Sequence, residues 1–330
     1  MAVEKFTIGG IGAGVVGTIL ASHLADAGAE IIITDLPHRT EQIDKNGLQV
    51  RWGEKHLSHS VRTTPTIASL VASGPDVIFI STKTWVLNNI LPEVEKCIND
   101  NILVISVQNG IGTEDVLAKF IPPHNVARMV VNYAGANRPE GYTTVNWFNP
   151  PNYVGLIADR EEPRLTLLVE MLNTTGLTTK LVTPMEIKKQ AFLKTILNSA
   201  LMPVCGVLGL TMKEAMSCKI IRGYAEDLVR EGLAVAARLG YHYGENCLEN
   251  CLEYLDRGGN HYPSMWVDLE NKLPTEIDFL NGKIMALGWM FSDLRLTTNR
   301  VFVSLVVARE IKNGTRSAAD IPYYISARHV

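Results

Sequence analysis

Two groups of residues in this 330-residue sequence have the types and spacing to do chemistry. The first is Ile11-Gly12-Ala13-Gly14-Val15-Val16-Gly17. Glycines at this spacing let a chain turn tightly, bring its backbone against a pyrophosphate, and pack a helix closely on a strand. The N–H groups at the start of such a helix attract the anion. Asp35 ends the following run Ile31-Ile32-Ile33-Thr34-Asp35, 18 positions after Gly17. A carboxylate placed there accepts hydrogen bonds from the hydroxyls of an adenosine ribose. The reading is a nicotinamide-dinucleotide site built from Gly12, Ala13, Gly14, Val15, Val16, Gly17 and Asp35. A carboxylate repels a 2′-phosphate, so Asp35 favours NAD(H) over NADP(H). His38 and Arg39, just past Pro37, either reach a 2′-phosphate or form a solvated turn.

The second group lies in Gln190-Ala191-Phe192-Leu193-Lys194-Thr195-Ile196-Leu197-Asn198. Hydride transfer to a carbonyl requires a proton donor for the oxygen that becomes an alkoxide, and Lys194 is the donor that stands out. Asn198 falls one helical turn later on the same face. Phe192, Leu193, Ile196 and Leu197 surround Lys194 with apolar side chains. Its ammonium is therefore either desolvated with a partner or directed into a cleft, whereas Lys188 and Lys189 read as surface lysines. Cys247-x-x-x-Cys251 with His242 is a weaker metal alternative, because that spacing suits one helix face and ordinary thiols explain it. No metal is expected.

The elements needed to position these groups are legible in the patterning. Short β-branched runs at 6–8, 31–34, 77–81, 103–107 and 126–131 alternate with amphipathic stretches, which implies a parallel sheet with helices on both faces. The first helix opens within the glycine motif and runs to about Ala27, with Gly28 as its stop. Helical periodicity takes over at 186–202, 213–239, 246–255, 276–287 and 296–312. The expected fold is an α/β Rossmann-type doubly wound parallel sheet over residues 1–182, followed by an all-α substrate and dimerisation domain over residues 183–330.

Composition narrows the function classes. A 46% hydrophobic, 20% charged chain can bury a sizeable core. A formal net charge of -3 gives no electrostatic reason for a polyanionic partner, so nucleic acid is not expected. The five cysteines are an odd, sparse set and read as free thiols in a reducing compartment. The apolar start lacks a basic leader region and its glycines belong to the motif above. No run of about 20 apolar residues is expected to enter a membrane, and the cytoplasm is the default. The long helix around 223–239 carries more apolar surface than a small sheet domain covers, which points to a homodimer.

The combination resembles the ketopantoate reductase (2-dehydropantoate 2-reductase) family from the glycine motif to about Gly288. Four segments carry the resemblance in order. They are Gly12-Ala13-Gly14-Val15-Val16-Gly17, then Val107-Gln108-Asn109-Gly110-Ile111-Gly112, then the Lys194-to-Asn198 helix, and last Pro263-Ser264-Met265 leading to Pro274-Thr275-Glu276-Ile277-Asp278 and Asn281-Gly282. The resemblance implies hydride transfer to the 2-oxo carbon of a small 2-oxo acid, with Lys194 as general acid. It implies that Glu276, otherwise an acidic residue well placed at a helix start, hydrogen-bonds the substrate hydroxyl. It further implies substrate contacts from Asn198 and Ser264, a place for Asn109 beside the nicotinamide and the substrate carbonyl, and Lys83 near the cofactor.

Three positions depart from the family pattern. Met202, and a position near Met212, stand where relatives carry asparagines, which makes the pocket more apolar and changes which molecule fits. Leu36 replaces an arginine that binds the NADPH phosphate, so NADP(H), the family default, gives way to NAD(H) on the local residues. Three functions stay open: a 2-dehydropantoate-type reductase, an NAD-dependent dehydrogenase of a different 2-hydroxy acid or alcohol, and a non-catalytic NAD-binding sensor. The sensor predicts loss of the acid, yet Lys194, Asn198, Ser264 and Glu276 are all present.

Overall fold

Buried β-branched runs assemble the first of two compact units in this computed structural model, which describes residues 6–326. The units part between residues 190 and 191, and Asn109–Ile111 group with the second. Residues 1–5 of the stretch weighed as a leader lie outside the described residues.

The strands are β1 (Thr7–Ile11), β2 (Glu30–Thr34), β3 (Leu48–Trp52), β4 (Lys55–His59), β5 (Arg62–Thr64), β6 (Val77–Ile80), β7 (Leu103–Ser106), β8 (Val126–Val130), β9 (Tyr133–Asn137), β10 (Thr143–Phe148), β11 (Asn152–Leu156) and β12 (Thr179–Leu181). Eight form one sheet in the order β12-β11-β8-β7-β6-β1-β2-β5. The run from β8 to β5 is parallel, and β11 joins β8 antiparallel. β6, β7 and β8 are buried along their whole length, as strands covered on both faces must be. The chain leaves β1 toward β2 on one side and returns to β6 on the other. The carboxyl end of β1 is therefore a switch point, the place where open α/β sheets bind ligands.

A second sheet, β4-β3-β10-β9, was not expected. Its strands are half exposed, and polar residues such as Gln49, Arg51 and His56 on them break the apolar runs. Two expected helices are each divided. Residues 213–239 form Met212–Ser217 and Lys219–Arg238, because Cys218 takes an extended conformation between them. Residues 276–287 form a 3₁₀ turn, Ile277–Phe279, and a helix, Asn281–Gly288, separated at Leu280.

The helical unit packs around Phe192, Ile196, Ala200, Leu228, Val235, Ile284 and Phe302. The helix Pro184–Leu208 is long and apolar enough, by length and composition alone, to cross a membrane. Burial accounts for this character: 61% of its most apolar window is buried within the protein.

Candidate active site

The glycine motif joins β1 to the helix Val15–Asp26. Gly12 has φ +94°, a conformation that side chains resist, and an added Cβ would lie 2.9 Å from the Thr82 methyl. At Gly17 a Cβ would collide with the Gly12 carbonyl oxygen and Ser81 Oγ, whose own hydrogen bond to that carbonyl is 2.7 Å. At Gly14 it would meet nothing within 4 Å, so this side of the loop is open to a ligand. No side chain caps the helix, which leaves its first N–H groups for an anion. A Gly17→Ala variant is expected to lose cofactor binding at least about 10-fold and to melt lower, because overpacking at a tight contact costs about 1–3 kcal/mol. Cofactor fluorescence titration and a thermal melt check both.

The end of β2 meets this loop. Asp35 accepts the Ala13 N–H at 2.6 Å through one carboxylate oxygen and the Leu36 N–H at 2.7 Å through the other. The carboxylate thus shapes the loop. Arg39 is not part of a solvated turn. It starts near the head of the helix Pro37–Asn46, and its guanidinium bonds the Ala13 carbonyl at 3.0 Å, Thr18 Oγ1 at 3.0 Å and Gln42 Oε1 at 2.6 Å. His38 and Leu36 are exposed. Lys83, partly buried, follows β6 and precedes the 3₁₀ turn Thr84–Val86.

In the helical unit, Lys194, Asn198 and Met202 recur at four-residue spacing along Pro184–Leu208 and so form one stripe. Burial pushes the Lys194 ammonium down to about 8, close to where a general acid serves best. Asn198 Nδ2 is buried and has no hydrogen-bond partner among the described residues. Ser264 opens the helix Ser264–Glu270 with its Oγ 4.0 Å from the Met202 sulfur. Glu276 is 5% exposed and accepts a 3.2 Å hydrogen bond from Asn109 Nδ2. The Ile111 N–H donates to the Phe279 carbonyl at 2.9 Å, so the Asn109 segment is anchored to the turn after Glu276. Cys247 and Cys251 are buried with sulfurs 3.9 Å apart, and no group of three or more His, Cys, Asp or Glu among the described residues could hold a metal ion.

A glycine loop at the switch point of a parallel sheet, together with a helical unit that carries a partly buried lysine of lowered pKa, is the arrangement expected of dinucleotide-dependent oxidoreductases. Comparison with known proteins gives the family. The model for Ketopantoate reductase PanE/ApbA matches residues 8–155, and that for its C-terminal region matches residues 186–310. The chain belongs to the ketopantoate reductase family, oxidoreductases acting on CH–OH groups. It is 27% identical over 305 residues to the 2-dehydropantoate 2-reductase of Pyrococcus horikoshii, covering 92% of this chain and 97% of that one. To the enzyme of that name from Archaeoglobus fulgidus it is 26% identical over 314 residues, covering 95% and 100%. Among solved structures it superposes on a D-mandelate dehydrogenase bound to NADH and anilino(oxo)acetate with a TM-score of 0.82 at 24% identity, over 93% of this chain and 99% of that one. For a PanE/ApbA family ketopantoate reductase from Ralstonia eutropha the TM-score is 0.83 at 21% identity, with the same coverage. These structural likenesses establish the Rossmann-type and helical fold.

Proposed function

We propose that this chain reduces a small 2-oxo acid to the 2-hydroxy acid, with Lys194 as general acid. The observation that carries the reading is the Lys194 ammonium, held near pKa 8 by burial, one turn from an Asn198 Nδ2 that has no hydrogen-bond partner among the described residues. A bound nicotinamide supplies the hydride for the 2-oxo carbon. Lys194 polarises the carbonyl and then delivers a proton to its oxygen as charge develops. Asn198 and Ser264 orient the substrate, and Glu276, held by Asn109, receives a hydrogen bond from it. Lys83 and the loop from Gly12 to Gly17 bind the cofactor.

The curated relatives carry the name 2-dehydropantoate 2-reductase, so 2-dehydropantoate is the first substrate to try. A second reading, an NAD-dependent dehydrogenase of another 2-hydroxy acid, is favoured by the Met202 sulfur beside Ser264, where an amide would otherwise bond a substrate hydroxyl. The experiment is a spectrophotometric screen of 2-oxo and 2-hydroxy acids, 2-dehydropantoate included, with NADH and NADPH in parallel. Turnover of 2-dehydropantoate excludes the second reading, and no turnover of any 2-oxo acid sinks the first.

Asp35 argues for NAD(H), and the Arg39 guanidinium beside it is engaged by the Ala13 carbonyl, Thr18 Oγ1 and Gln42 Oε1. In an Asp35→Ser variant the like-charge repulsion of a 2′-phosphate is gone, and the NADPH/NADH ratio of kcat/KM is expected to rise at least about 10-fold. A wild-type preference for NADPH would overturn the assignment. The five cysteines are free thiols, which supports a reducing cytoplasm. A homodimer through the helical unit is supported by exposed Ile220 and Tyr224 on one helix and Val301 and Leu305 on another, and sedimentation tests it.

A further inference from the structure

The chain returns after its last long helix to grip the residues on both sides of Glu276. Glu310, 1% exposed near the end of the helix Thr297–Asn313, uses one carboxylate oxygen to accept both the Thr275 N–H and the Thr275 hydroxyl, each at 2.7 Å. Its other oxygen accepts Arg316 Nε at 2.7 Å. The far side of the Arg316 guanidinium donates to Asp278 Oδ2 at 2.6 Å, and the Tyr324 hydroxyl donates to Asp278 Oδ1 at 2.7 Å. Gly314, with φ +77°, ends the helix, and the Thr315 N–H and hydroxyl bond back to the Glu310 carbonyl at 3.0 and 3.1 Å. That turn brings Arg316 to the Glu310 carboxylate. A Cβ on Gly282 would collide with the Tyr324 oxygen, so the tyrosine reaches Asp278 over a bare backbone.

The segment held this way is short, and outside the strap it is tied by the Ile277 N–H to Thr275 Oγ1 at 3.3 Å and by the Ile111 N–H to the Phe279 carbonyl at 2.9 Å. It is a single 3₁₀ turn, Ile277–Phe279, with no side-chain cap, and isolated turns of this kind have poor hydrogen-bond geometry and a high cost of formation. Thr275 is pinned on one side of Glu276 and Asp278 on the other. The side chain between them is the one that meets Asn109. The family match of the second unit ends at residue 310, so Arg316 and Tyr324 lie past it.

We propose that Glu310, Arg316 and Tyr324 are positioning residues: a C-terminal strap that fixes the backbone on either side of Glu276 and thereby aims its carboxylate. This rests on the reading of Glu276 as a substrate contact. A carboxylate that must meet a substrate hydroxyl loses effectiveness steeply with small displacements, whereas a strap that only stabilised the helical unit would leave the aim unchanged.

The test uses the full chain and the 2-oxo acid it turns over best, with Arg316→Met, Tyr324→Phe, Glu276→Gln and the two double variants with Glu276→Gln. Arg316→Met is expected to lower kcat/KM about 10-fold and Tyr324→Phe about 3-fold, with cofactor Kd unchanged, as expected for misplacement without loss of the contacting group. Tyr324→Phe keeps the ring on Gly282, so it reports even where Arg316→Met folds poorly. In the Glu276→Gln background both strap substitutions are expected to add almost nothing, since coupled residues are strongly non-additive. Equal losses in both backgrounds, or losses that follow the melting temperature alone, overturn the strap. Wild-type kcat/KM in Glu276→Gln removes the role of Glu276 and the strap with it. A loss in Glu276→Gln with wild-type behaviour in Arg316→Met and Tyr324→Phe overturns the strap only.

Discussion

Lys194→Met is expected to abolish reduction and to stabilise the protein at the same time. Loss of the acid lowers kcat by about 10²–10⁴-fold, the range over which general acids contribute. The stability effect follows from burial, which lowers the Lys194 pKa from 10.5 to about 8. Between those pH values the unfolded chain binds a proton that the folded chain does not, so wild-type stability rises with pH across that window. Below about pH 8 the penalty is fully present and amounts to as much as about 3 kcal/mol. Methionine fills similar volume without a charge, so Lys194→Met melts several degrees higher at pH 7, with the gap closing by pH 11. The wild-type rate profile carries the same ionisation: reduction falls as pH rises through about 8, and oxidation of the hydroxy acid rises there because the neutral amine is the base. A variant that melts lower than wild type at pH 7 would show that Lys194 is structural rather than held at a cost for chemistry.

The parallel sheet was legible because its strands are covered on both faces and must be continuous apolar runs, as in β6 and β7. The glycine loop was legible because each of its constraints acts within a few residues. Lys194 and Asn198 could be paired since one helix carries both. What escaped was polar chemistry that charged residues make with groups far away in the sequence. Arg39 reads as a solvated cation until its partner, the Ala13 carbonyl, is found 26 positions earlier. Glu310 and Thr275 are 35 positions apart, Arg316 and Asp278 are 38 apart, and nothing in the local pattern distinguishes them from surface charges. The four-stranded sheet escaped for a different reason. Strands with one exposed face carry charges and amides at alternate positions, and KHLSH offers only one buried apolar side chain to mark it.

Arg128 and Glu114 are another such pair, and removing only one of them is expected to be among the most damaging changes available. Their side chains are 3% and 4% exposed, with Arg128 Nε 3.8 Å from Glu114 Oε2. The Arg128 guanidinium also donates to Ser106 Oγ at 2.9 Å and to Thr113 Oγ1, while those two hydroxyls meet each other at 2.7 Å. Ser106 ends β7 and Thr113 starts the helix Thr113–Leu117, so the network closes the base of the loop 107–112 in which Asn109 stands. Glu114→Ala leaves the guanidinium buried without its carboxylate, and about 3–5 kcal/mol of stability is expected to be lost. An Arg128→Met, Glu114→Leu pair removes both charges and should recover most of that loss, since buried ion pairs replaced by apolar residues are often neutral. Activity should not recover with it, because the hydroxyl bridge then lacks the donor that held it and the loop base is free to open. Chemical denaturation and kcat/KM on the same preparations separate the two effects. If the charge-free pair is as unstable as Glu114→Ala, packing rather than charge compensation governs the site; if it regains full activity, the network does not set the position of Asn109.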